Sequence, residues 1–161
     1  MRVGVFTPLL SQFPLDAVLK KVADLNIKTV ELGTGNFVGD PHCKLAMLEN
    51  ESALRDFKKL LGDYGFSISA LSCHGNALHP DKARAQHDRE ISHKTILLAE
   101  KLGVPVTVDF SGCPGDSPNA TAPNWVTCPW PPDFGKVLQW QWNEWSRRTG
   151  FSMQNSPLTT A

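Results

Sequence analysis

The chain has no surplus of charge of either sign: 161 residues carry 16 Lys and Arg against 16 Asp and Glu. That balance excludes a binder of the nucleic-acid backbone and a membrane-surface protein, both of which need excess basic charge. No apolar run approaches the roughly 20 residues that span a bilayer. The opening Met1-Arg-Val-Gly-Val-Phe6 is basic and then apolar, but Pro8 and Pro14 interrupt it and no small-residue cleavage site follows. It reads as a first strand and not as a signal peptide. Cys43, Cys73, Cys113 and Cys128 show no C-x-x-C spacing and no recognisable zinc set, which leaves reduced thiols in a cytoplasmic protein. There is no G-x-G-x-x-G after the first strand and no P-loop, so neither nucleotide-binding form of an α/β fold has support. The length suits one domain with a sizeable core.

What is present is a rhythm. Leu25-Asn26-Ile27, Tyr64-Gly65-Phe66 and Leu102-Gly103-Val104 each end a helix-patterned segment on a residue that tolerates the left-handed conformation. One-faced stripes precede them: Leu15, Val18, Leu19, Val22; then Leu54, Phe57, Leu60, Leu61; then Ile91, Leu98, Leu102, widened by Ile96 and Leu97. Apolar runs follow. The spacing predicts strands near 2–6, 28–32, 66–72 and 105–110, and helices near 14–25, 51–64, 82–102 and 133–145. Alternating strand and helix with right-handed crossovers predicts an α/β fold of parallel (β/α) repeats, about four units, either closing toward a barrel or open and doubly wound.

Beyond the fourth strand the character changes. Six prolines lie between Ser111 and Pro132, together with Trp125 and Trp130. A stiff loop of that length is functional or disordered, and the tryptophans favour a packed lid. The organisation reads as a domain over 1–145, followed by an irregular tail over 146–161.

Polar residues cluster at the carboxyl ends of the predicted strands: Thr7, Glu31, His74 with Asn76, and Asp109 with Ser111. In a parallel barrel these positions open onto one face, where active sites lie. His74 is a candidate ligand, substrate hydrogen-bond donor or general acid, or else a strand-end histidine satisfied by backbone. Glu31 is a base, a ligand or a structural carboxylate. Asp109 lies on the most apolar predicted strand, as a site residue or half of a buried pair. Asn76 orients a substrate hydroxyl or simply forms a turn. His42 and Cys43 read as a solvated loop, His79 as a shaper of the loop before the third helix, and His87 and His93 as solvated helix-face residues. Trp140, Trp142 and Trp145 suggest a carbohydrate or partner surface, or else a helix packing face, the preferred use for at least one of them.

Val30-Glu31-Leu32-Gly33, Ser72-Cys73-His74-Gly75-Asn76 with Leu78-His79-Pro80, and Phe110-Ser111-Gly112-Cys113-Pro114-Gly115-Asp116 together resemble the sugar phosphate isomerase/epimerase family. Trp140-Gln-Trp-Asn-Glu144 is similar to a helix in one branch of it. The resemblance covers roughly Met1 to Trp145. It implies the xylose isomerase-like TIM barrel and a divalent metal (Mn, Mg, Co or Zn) held by Glu, Asp and His of later strands. It further implies proton transfer next to the carbonyl of a sugar or sugar phosphate, with His74 binding substrate or supporting the metal site. A complete barrel needs about 250 residues, so the chain reads as the amino-terminal half and, alone, as a catalytically incomplete isomerase or epimerase. The alternative is a non-catalytic half-barrel that binds a partner or forms a homo-oligomer through its open sheet edges. The family is related to apurinic-site endonucleases, but the neutral charge argues against a nucleic-acid partner.

Overall fold

The computed structural model describes residues 3–124. The predicted helix at 133–145, the tail at 146–161 and all five tryptophans lie outside the described residues.

Within them, three helices and four strands alternate: β1 (Val5–Phe6), α1 (Leu15–Ala23), β2 (Thr29–Gly33), α2 (Glu51–Asp63), β3 (Ser67–Ser72), α3 (Lys82–Leu102) and β4 (Thr107–Val108). Short 3-10 turns at Thr7–Leu10, Asn36–Val38 and Leu45–Glu49 shape the loops. The helices form where the stripes lie and stop where predicted. Asn26, Gly65 and Gly103 all have positive φ, at 59°, 68° and 72°. Each helix end closes with the same long bond, from Ile27 N to Val22 O, Phe66 N to Leu61 O and Val104 N to Ala99 O, the signature of a left-handed C-cap. At the other ends, the Asn50 side chain accepts from Ala53 N to cap α2, and Asp81 accepts from Ala83 N and Arg84 N to cap α3.

The sheet has the order β1-β2-β3-β4, every pair parallel. A doubly wound sheet would reverse its order partway. Sequential order is that of a barrel, and the fold is a partial TIM barrel. The register steps between Val30 and Glu31, where Ile68 and Ala70 become successive partners. The skipped Ser69 donates its hydroxyl to Val30 O at 3.1 Å. Such a bulge resets which face each later residue takes.

On the helix side Leu19, Val30, Leu32, Leu71 and Leu98 are fully buried and join Cys43, Met47, Leu54, Phe57 and Leu61 in one core. Each of these leucines contributes about 2 kcal/mol by burial. Buried Thr34 and Thr95 bond each other at 2.8 Å, and Thr34 also donates to Ser72 O, so α3 is pinned to the β2–β3 junction.

Three expectations are corrected. Strands predicted at 2–6 and 105–110 pair over two residues each, because edge strands have a partner on one side only and Pro105 offers no N–H. Ile96 and Leu97 do not widen the inward face of α3; they are exposed, and buried Asp88 and Thr95 take that face instead. His42 and Cys43 are not solvated: both are buried, with His42 Nε2 bonded to Phe13 O at 2.9 Å. Among the described residues no helix is long and apolar enough to cross a membrane.

Candidate functional site

The four candidate residues divide into two pairs. Glu31 and His74 lie on the concave face of the sheet, away from the helices. Strand alternation places them there: Val30 and Leu32 enter the core and Glu31 points the other way. The Ser72 hydroxyl donates to Glu31 Oε1 across the β2–β3 ladder. His74, two residues beyond Ser72, stands on the same face. Its ring stacks on Phe110 with centroids 4.6 Å apart and planes 11° apart, and meets Phe6 at 6.2 Å. Its Nδ1 is buried and has no hydrogen-bond partner among the described residues. An imidazole held between two apolar rings, with one nitrogen enclosed, has a fixed orientation and keeps hydrogen-bonding capacity in reserve.

Asn76 and Asp109 serve another purpose. Asn76 is buried. Its amide donates to Cys113 O at 2.8 Å while its carbonyl oxygen accepts from Cys113 N at 2.7 Å and Leu78 N at 3.2 Å. This two-way clamp ties the loop after β3 to the loop after β4. The Asn76 N–H in turn donates to Asp88 Oδ2 at 2.7 Å.

The expectation that Asp109 lies on an apolar strand is corrected. It follows a two-residue β4, is exposed, and turns toward α3. Its carboxylate accepts from Gly75 N and Phe110 N, both at 2.8 Å, and from the Ser92 hydroxyl of α3. Asp109 therefore shares no face with Glu31 and His74. It holds the backbone on either side of the His74–Phe110 stack.

The sequence reading missed Asp88 and Asn36. Asp88 is buried on α3 with Arg84 Nε at 3.5 Å. Asn36, at a positive φ of 54°, donates to Cys73 O at 2.7 Å. A Cβ on Gly75 would collide with the Asn36 amide, which is why glycine stands beside His74. The one sequence signal for Asp88 is its seven-residue spacing from Thr95, which marks one helical face. His79 accepts from Asp81 N at 3.0 Å. The backbone bonds that Asp81 accepts from Arg84 and Ala83 hold its carboxyl below the usual range.

Among the described residues, the four candidates do not by themselves assemble a divalent-metal site. Among the described residues no three His, Cys, Asp or Glu side chains converge. Glu31 faces a serine, His74 faces two phenylalanines, and Asp109 is engaged by two N–H groups and a hydroxyl.

The arrangement lies at the carboxyl ends of parallel barrel strands, the face on which active sites of such barrels sit. Residues 19–147 match the family described as xylose isomerase-like TIM barrel, and the chain belongs to that family. Over 147 residues it is 33% identical to YfiH, an uncharacterized protein of Bacillus subtilis (strain 168), an overlap of 89% of this chain and 47% of YfiH. The chain thus spans about half the length of that relative. A crystal structure of D-psicose 3-epimerase in the presence of D-fructose superimposes with a TM-score of 0.48 at 15% identity, over 68% of this chain and 37% of that one.

Proposed function

We propose that the chain forms the substrate-gripping half of a cytoplasmic sugar or sugar phosphate isomerase or epimerase. The observation that carries this reading is His74, stacked on Phe110 with the tilted Phe6 ring nearby, on the same concave face as the Glu31–Ser72 pair. A sugar presents hydroxyls along its edges and C–H groups on its faces. An oriented imidazole, a carboxylate and a serine hydroxyl complement the former, and the phenylalanine rings complement the latter. The roles assigned here are binding and orientation.

The test pairs binding with turnover. Keto- and aldo-sugars and their phosphates are titrated into the 161-residue chain and followed by ligand-observed NMR, and the same panel is assayed for turnover with Mn added. Saturable binding is expected, lost in His74→Ala and retained in His93→Ala, with turnover at background. Failure of the whole panel to bind would overturn the substrate class. Robust turnover would overturn the assignment to binding alone.

A further inference from the structure

We infer that Ser92 of α3, which lies outside the concave face, is a positioning residue: through the Asp109 carboxylate it sets the spacing of the His74–Phe110 stack that grips the substrate. As a role in binding this rests on the sugar-binding reading of that face; the geometry stands apart from it. Asp88, Ser92 and Thr95 follow one another at steps of four and three residues, so they share one face of the helix. Each engages a different rim loop. The Asp88 carboxylate accepts from Asn76 N at 2.7 Å, after β3; Thr95 bonds Thr34 at 2.8 Å, after β2; and the Ser92 hydroxyl donates to Asp109, after β4. Asn76 and Thr34 are buried, so packing locks the first two contacts. Asp109 is exposed, and an exposed side chain keeps its rotamer freedom unless donors fix it.

The need for such a fixing point comes from where the ladder stops. β3 and β4 pair through Leu71 with Thr107 and Ser72 with Val108, and Cys73 N donates to Val108 O at 3.0 Å. Past that point Asp109 substitutes a side chain for the backbone: its Oδ1 accepts from both Gly75 N and Phe110 N at 2.8 Å. One carboxylate oxygen therefore bridges the segment that carries His74 and the segment that carries Phe110. Their rings stack at 4.6 Å, close to the lower limit for ring pairs, so a small backbone shift opens the stack. The other oxygen, Oδ2, takes the Ser92 hydroxyl, and Ser92 Oγ also lies 3.1 Å from the Asp88 carbonyl one turn back. The helix thus fixes the orientation of the carboxylate, and the carboxylate fixes both ring-bearing segments.

Proton NMR of the 161-residue chain tests this, with the His74 ring signals identified by their absence in His74→Ala. The ring current of Phe110 displaces those signals upfield. In Ser92→Ala and in Asp109→Ala they are expected to move back toward the positions of an unstacked histidine, while Ser92→Thr, which keeps the hydroxyl, retains the wild-type shifts. The methyl signals of Leu71, buried in the core, are expected to stay in place in all three. For a sugar that binds the wild-type chain, Ser92→Ala is expected to raise Kd about fivefold, the effect of one ordinary hydrogen bond. Unmoved His74 signals in either alanine variant would overturn the positioning role, whatever the sugars do. Loss of fold in Ser92→Ala, or displacement of the Leu71 methyls along with the His74 ring, would make Ser92 a general prop of the structure and overturn it equally. A wild-type chain that binds no sugar, with the ring signals moving as expected, would sink the binding reading and leave the positioning geometry supported.

Discussion

Burial of Cys43, with the Asp40 carboxylate second, pushes its thiol from 9.0 up to about 12. The native fold thus favours the neutral thiol, while the unfolded chain ionises first. The resulting stability is intact below pH 9 and is lost as pH rises from 9 toward 12. The loss reaches about 1.4 kcal/mol per pH unit for one thiol. Urea melts taken below and above pH 9 should show this alkaline decline, and Cys43→Ala should flatten it, whatever packing energy the substitution also removes. An unchanged slope in Cys43→Ala would place the thiol outside the core. Cys73, raised to about 11 by burial and by Asp109, keeps part of the decline in that variant. The inward turn of this loop was not legible in the sequence. Asp40-Pro41-His42-Cys43 has the composition of a solvated turn, and only the following 3-10 turn, which carries Met47 inward, reverses that. Asn76 shows the same limit. Its residue type allows a turn or a substrate contact, and choosing the loop clamp requires knowing that Cys113, distant in sequence, lies beside it.

The helix ends were legible because their cause is local. Three helices stop on a left-handed residue. At two of those residues, Gly65 and Gly103, the place a methyl group would take has no described atom within 4 Å. Alanine there meets no clash, so its cost is conformational alone. Gly65→Ala and Gly103→Ala should each destabilise by about 1 kcal/mol, and Asn26→Gly should be near neutral. Midpoints of urea denaturation measure this directly; no loss in either alanine variant would mean that the caps do not set the boundaries. Strand lengths were less legible, since a ladder depends on a neighbour the local sequence does not contain. The interior strands β2 and β3 came out close to their predicted bounds, and both edge strands came out short. The inward stripe of α3 failed for a related reason. Apolar Ile96 and Leu97 suit a core by type, yet Asp88 and Thr95 take the inward places because Asn76 and Thr34 receive them there.

At the scale of the whole molecule, alternating elements imply a parallel sheet but do not fix its order, because order is set by contacts between segments far apart in sequence. The order β1-β2-β3-β4 decides for the barrel, and membership of the xylose isomerase-like family agrees with it. The same geometry bears on metal. Among the described residues, no cluster of three His, Cys, Asp or Glu side chains forms. A native-state ligand present at a hundredfold its Kd adds about 2.7 kcal/mol, which for a chain of this size is several degrees in Tm. Adding Mn or Mg to the 161-residue chain, or treating it with a chelator, should therefore leave its calorimetric Tm within about one degree. A rise of several degrees with Mn would show that the folded chain binds the metal and would overturn this expectation.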